Sequence, residues 1–167
     1  MRHSTTVEHA SRRLLVALPD DYDRARGRYE SLVPAVDLVE FGAASDWNEV
    51  VAVAKRQAPH GFLRYFSTDV APTMALSGST WRATEYLMGN HTIAERMYRH
   101  DPAVMLHAPL RTLLYAGPHG TVLAVDQPSL LFASYGNPAI TAVGRELDGL
   151  VATLIELLDG DVPPQLR

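Results

Sequence analysis

The sequence predicts an α+β fold, a mainly antiparallel sheet with helices packed on one face. Three observations carry that expectation. Short segments of two-residue alternation are interleaved with segments of helical spacing. The turn Gly117-Pro118-His119-Gly120 joins two apolar runs in the manner of a hairpin. After Asn137-Pro138, apolar residues recur at helical spacing from Ile140 to Leu158.

Taken in order, residues 1–10 are polar and expected to be loose. RRLLVAL, residues 12–18, reads as a strand stopped by Pro19. Tyr22, Ala25, Tyr29, Leu32 and Val33 lie on one side of a helix expected over residues 20–33, with Pro34 ending it. DLVEF, residues 37–41, is expected as a short strand. Asp46 and Glu49 have capping-box spacing ahead of a helix, WNEVVAVAKRQ. GFLRYFST, residues 61–68, reads as a strand with Phe62, Arg64 and Phe66 facing one way and Leu63 and Tyr65 the other. A helical turn or loop is expected over 69–78. In the next strand, residues 80–88, Trp81, Ala83, Glu85 and Leu87 share one face, and Arg82, Thr84, Tyr86 and Met88 share the other. Asn90 caps a helix from His91 to about Arg99. Asp101-Pro102 opens a short turn. LRTLLYA and TVLAVD are the hairpin strands, and the last helix spans residues 138–159, with Gly160 ending it. The whole chain, 1–167, is expected to be a single domain.

Composition excludes several classes. The 167 residues carry a net charge of −4 and have no long basic run, which argues against nucleic acid as a partner. No stretch reaches the length of a membrane span. The start has no apolar core of a secretory signal, and the chain has no cysteine, so a reducing cytoplasm is expected. Lys55 is the only lysine, a bias expected of a GC-rich bacterial genome; Schiff-base chemistry would fall to it alone.

The candidate site is TEYLMGNHTIAERMYRHDP. Glu85, if its strand face is buried, becomes a desolvated acid or base; otherwise it pairs with an arginine such as Arg64. Gly89 and Asn90 lie at a strand-to-helix turn that either admits an anion or is simply capped by Asn90. His91 and Glu95, four apart, form an acid–base dyad, a pair of metal ligands, or a solvated surface pair. His100 reads as a buried or helix-end histidine, and His107 as a core histidine or a ligand-binding one. Tyr65, Trp81, Tyr86, Tyr115 and Phe132 either line an apolar pocket or are core. No metal site is expected, because no zinc signature is present. No nucleotide or dinucleotide fingerprint appears, so no organic cofactor is expected.

The stretches WNEVVAVAKRQAPHGFLRYFSTDV, TEYLMGN and APLRTLLYAGPHGTVLAVDQP resemble the DUF302 family over residues 47–128. Thr84-Glu85 and Gly89-Asn90 are the most specific part of the likeness. His91 stands where the family pattern has proline. The long last helix lies outside the matched stretch. The resemblance implies a compact α+β fold, commonly dimeric, and no general mechanism.

The functional expectation is a small cofactor-independent enzyme acting by proton transfer on an apolar or aromatic metabolite, through isomerisation, cyclisation or addition/elimination. His91 would be the acid or base, Glu95 its orienter and Glu85 the second acid. Gly89, Asn90, Tyr65, Trp81, Tyr86 and His107 would contact the ligand. A non-catalytic protein that holds a metabolite or haem, and a structural homodimer module, are the alternatives. A homodimer is also expected from the last helix, whose Leu150, Val151, Leu154, Ile155, Leu157 and Leu158 spread round its axis.

Overall fold

A computed structural model describes residues 4–167. The expectation of a loose start reaches over residues 1–3, which lie outside the described residues; residues 4–10 are exposed and form neither helix nor strand. Five strands, β1 (Arg13–Leu18), β2 (Leu63–Asp69), β3 (Ala83–Gly89), β4 (Leu110–Gly117) and β5 (Gly120–Asp126), form one sheet in the order β1-β5-β4-β3-β2. All neighbouring strands are antiparallel. The helices are α1 (Tyr22–Leu32), α2 (Leu38–Gly42), α3 (Trp47–Gln57), α4 (Ala71–Ala75), α5 (His91–Tyr98), α6 (Pro128–Ala133) and α7 (Pro138–Leu157).

Alternation decides which sheet face is core. Leu14, Val16 and Leu18 of β1, Thr84, Tyr86 and Met88 of β3, and Leu123 and Val125 of β5 are buried under helices. Helix α1 docks there through Tyr22, Ala25 and Tyr29. The hydroxyls of Tyr22 and Tyr29 hydrogen-bond Thr84 Oγ1 at 2.6 Å and Thr112 Oγ1 at 2.7 Å, so α1 satisfies these two buried threonines. Helix α6 crosses α7 closely because position 144 is glycine. A Cβ there would sit 3.0 Å from Phe132 Cβ and 3.1 Å from Ser129 Cα. Buried Asp148 of α7 accepts from the Ser129 backbone N–H and from Gln127 Nε2, tying the start of α6 to α7.

Two expectations need correction. Residues 38–42 form helix α2, not a strand. Asp37 Oδ1 accepts from the N–H groups of Val39 and Glu40, and Val39 is 83% exposed, so no sheet edge receives this segment. The Asp37-x-x-Glu40 spacing was the available signal, the same one that marks α3. Second, β2 does not alternate evenly. Its register shifts between Arg64, opposite inner-face Met88, and Phe66, opposite outer-face Leu87. Tyr65 is the extra residue of a bulge, which re-aims its side chain. Of the apolar residues on α7 and at its C-cap, Val151, Leu154, Ile155 and Leu158 are buried within the chain, Leu150 packs on Gly61, and Leu157 is half-buried.

Candidate functional site

The strand-to-helix turn after β3 builds the site. Asn90 Oδ1 accepts from the Thr92 N–H and hydroxyl, and its Nδ2 donates to the Gly61 carbonyl at 3.0 Å. The cap thus satisfies the turn internally and leaves no amide side-chain group for an anion. Gly89 serves packing: a Cβ at this position would lie 3.3 Å from Pro109 Cβ and 3.6 Å from the Tyr65 ring.

His91 begins α5. Its Nδ1 shares a hydrogen bond of 2.8 Å with the Tyr65 hydroxyl, which the β2 bulge brings into reach. Phe41 of α2 lies against the imidazole at a centroid distance of 4.5 Å. Nε2 has no protein partner, and no buried polar side-chain atom among the described residues lacks one, so Nε2 is open to solvent. Burial holds His91 below the usual imidazole value, which favours the neutral ring. Burial pushes the Tyr65 hydroxyl up to about 12, outweighing the opposing influence of the His91 backbone N–H.

His91 faces two adjoining cavities. The outer one, about 480 Å³, is walled by α2, α3 and α5 with Leu38, Phe41, Trp47, Val50, Ala94, Glu95, Tyr98 and Met105. The inner one, about 250 Å³, adds Tyr65, Gly89, Asn90, Ala108 and Pro109.

The structure assembles only part of the expected constellation. Tyr65, Gly89, Asn90, His91 and Glu95 line this cleft. Glu95 does not orient His91; its carboxylate is engaged by both Arg99 Nε, at 2.9 Å, and Arg99 Nη2. The i,i+4 spacing allowed either partner, and the guanidinium offers two donors to one carboxylate. Glu85 lies on the outer sheet face and pairs with Arg111 Nε at 2.9 Å, not with Arg64. It does not line the His91 cleft, because the strand alternation that buries Tyr86 turns Glu85 away. Tyr86 is core, stacked on Tyr29 and bonded to Glu30. Trp81 is 61% exposed and precedes β3. His100 is exposed. His107 lies beyond the turn Pro102–Leu106, packed near His9, Phe132 and Tyr135 and lining a separate cavity of about 590 Å³. Among the described residues no three His, Asp or Glu side chains gather as metal ligands would.

The cleft residues missed by sequence reasoning are Leu38, Phe41, Trp47, Tyr98 and Met105. They come from separate elements, and only the corrected helix α2 brings the first two to His91. Exposure of Leu38, Trp47, Tyr98 and Met105, at 45–58%, makes the cleft rim an apolar patch.

His91 and His107 carry a stability prediction. Burial lowers His91, and burial followed by the nearby His9 lowers His107. The unfolded chain binds protons near pH 6.5 before the folded one does. Their contribution is therefore complete above that value and is lost progressively as pH falls from it through the lower folded values. Urea midpoints should drop between pH 7.5 and 5.5, and less so in a His91→Ala/His107→Ala variant.

No curated protein matches the chain. In the described residues no helix is long and apolar enough to cross a membrane. The fold is similar to that in the crystal structure of the uncharacterized conserved protein DUF302 from Bacillus stearothermophilus. That likeness has a TM-score of 0.65 at 14% identity, covering 87% of this chain and 97% of the other. The family model for the domain of unknown function DUF302 matches residues 42–158, extending past residues 47–128 on both sides and taking in all of α7. With most of its length inside that match, the chain belongs to the DUF302 family.

Proposed function

We propose that the cleft binds an apolar, ring-containing small molecule and that His91 exchanges a proton with it. The observation that carries this is a half-buried imidazole with one nitrogen held by Tyr65 and the other open to an aromatic-walled cleft, where burial favours the neutral ring. Such a group works as a single acid–base centre near neutral pH. Neither Glu95 nor Glu85 is placed to assist it, which narrows the chemistry to steps that one group can perform, such as removing a proton and returning it elsewhere on the same molecule. The same lack of a second group favours the alternative, a protein that holds its ligand, metabolite or haem, without turnover. A cysteine-free chain suits a reducing cytoplasm as the setting.

Screening uncharged ring compounds by rise in melting temperature finds ligands, since binding to the folded state raises stability. NMR in D₂O then reads deuterium entry at carbon. Wild type is expected to catalyse exchange in at least one bound compound, and His91→Ala to bind it without exchange. Ligands that bind with no exchange in wild type would leave only the holding role.

A second copy is the proposed partner, now on different ground from α7. The outer sheet face carries exposed Leu15 and Phe66 and half-buried Leu87, Leu113 and Tyr115. Its Arg13–Asp126 and Arg111–Glu85 pairs cancel in charge, so two such faces meet without repulsion. Sedimentation at micromolar concentration should give a dimer, and Leu113→Glu a monomer. A wild-type monomer would dismiss this partner.

A further inference from the structure

The two cavities share Leu38, His91, Ala94 and Met105, so they form one continuous two-part space. Its one charged side chain and the polar groups of its inner part other than His91 Nε2 are spent. Glu95 is the one ionisable carboxylate on the lining, and its charge is matched by Arg99. Asn90 uses its oxygen on Thr92 and its amide on Gly61. Tyr65 is occupied with His91. A ligand with a fixed charge would shed water here and find no unpaired counter-charge, a cost that an apolar wall does not repay. An uncharged ring gives up little on entering and gains contact with Phe41, Trp47 and Tyr98.

The polar groups left for recognition are the Trp47 indole N–H and the Tyr98 hydroxyl, which line only the outer part, and His91 Nε2, which alone of the three belongs to both parts. The role of Nε2 depends on the tautomer. With a proton on Nδ1, Nε2 accepts; with Tyr65 donating to Nδ1, Nε2 carries the proton and donates. A hydroxyl group suits both states, because it donates and accepts. A carbonyl or ether suits only one.

Resting on the cleft reading above, we infer that the ligand class is an uncharged ring compound of the phenol or enol type, its ring against Phe41 and Trp47 and its hydroxyl on His91 Nε2. In an enol, His91 is placed to take the hydroxyl proton as a proton from His91 or solvent is delivered to carbon, which gives the keto form and is the step that carries deuterium to carbon. The rest of the ligand reaches the inner space beside Tyr65 and Pro109.

Three probes of the same ring size test the class: 2-naphthol, 2-naphthoate and 2-naphthylmethylammonium, each titrated calorimetrically into the full chain at pH 7.5. The neutral phenol is expected to bind about tenfold or more tightly than either ion, given the desolvation cost of an unpaired charge. His91→Ala should weaken naphthol by about three- to tenfold, the weight of one hydrogen bond, and leave the two ions unchanged. A carboxylate that binds as well as naphthol, or an ammonium held as by an aromatic cage, would overturn the class while leaving the cleft as a binding site. Naphthol binding that ignores His91→Ala would overturn the placement of the hydroxyl. Failure of all three to bind would remove both the class and the cleft reading.

Discussion

His91→Ala is expected to lower turnover of the proton-transfer reaction by roughly 10²–10⁴-fold, the usual weight of one acid–base group. The fold should survive. Position 91 is the first of α5, where alanine is well tolerated, and Asn90 still accepts from the Thr92 N–H. Circular dichroism and the urea midpoint at pH 7.5 check this independently of activity. The pH profile separates a chemical role from a structural one. With burial holding His91 below the ordinary imidazole value of about 6.5, the acidic limb of wild-type activity should lie below that pH. The limb should disappear in His91→Ala. Tyr65→Phe removes the Nδ1 partner while keeping the ring. It should lower turnover less and shift the limb, the mark of a positioning residue. Glu95→Gln should leave the limb in place, since that carboxylate is engaged with Arg99. Unchanged turnover in His91→Ala would return this turn to a purely structural role.

Phe132→Ala is expected to cost about 3–5 kcal/mol of stability, the range for emptying an aromatic site in a core. The ring is fully buried on α6 and packs near His107 and Tyr135. Its backbone neighbourhood cannot close readily over the gap, because α6 is tied to α7 through Asp148 and already rests on Gly144. Urea unfolding followed by far-UV circular dichroism measures the loss. A cost under about 1 kcal/mol, the level of a tolerated swap, would contradict the close α6–α7 packing.

The sequence by itself determined the elements whose periodicity is unbroken and whose ends are marked. The alternation in β3 separated Tyr86 from Glu85, and the structure buries the first and leaves the second half-exposed. Asp46, Asn90, Asp101 and Asn137 each cap the helical segment expected of them. The hairpin from Leu110 to Asp126 lies where its turn residues put it. These features are local: a side chain satisfies a backbone group two or three residues away, or a repeat fixes a face.

Only the tertiary structure decided the site. The bulge at Tyr65 depends on pairing with β3, and one inserted residue leaves no mark in an apolar run. Whether Glu95 served His91 or Arg99 was open at i,i+4 spacing, and geometry gave it to the guanidinium. Glu85 was nearby in sequence yet faces away, because a strand sends successive side chains to opposite sides. Phe41 lies 50 residues before His91 and meets it only because α2 folds against α5. A cleft is made of contacts between elements, and those distances are set by how sheet and helices pack, which local pattern does not encode.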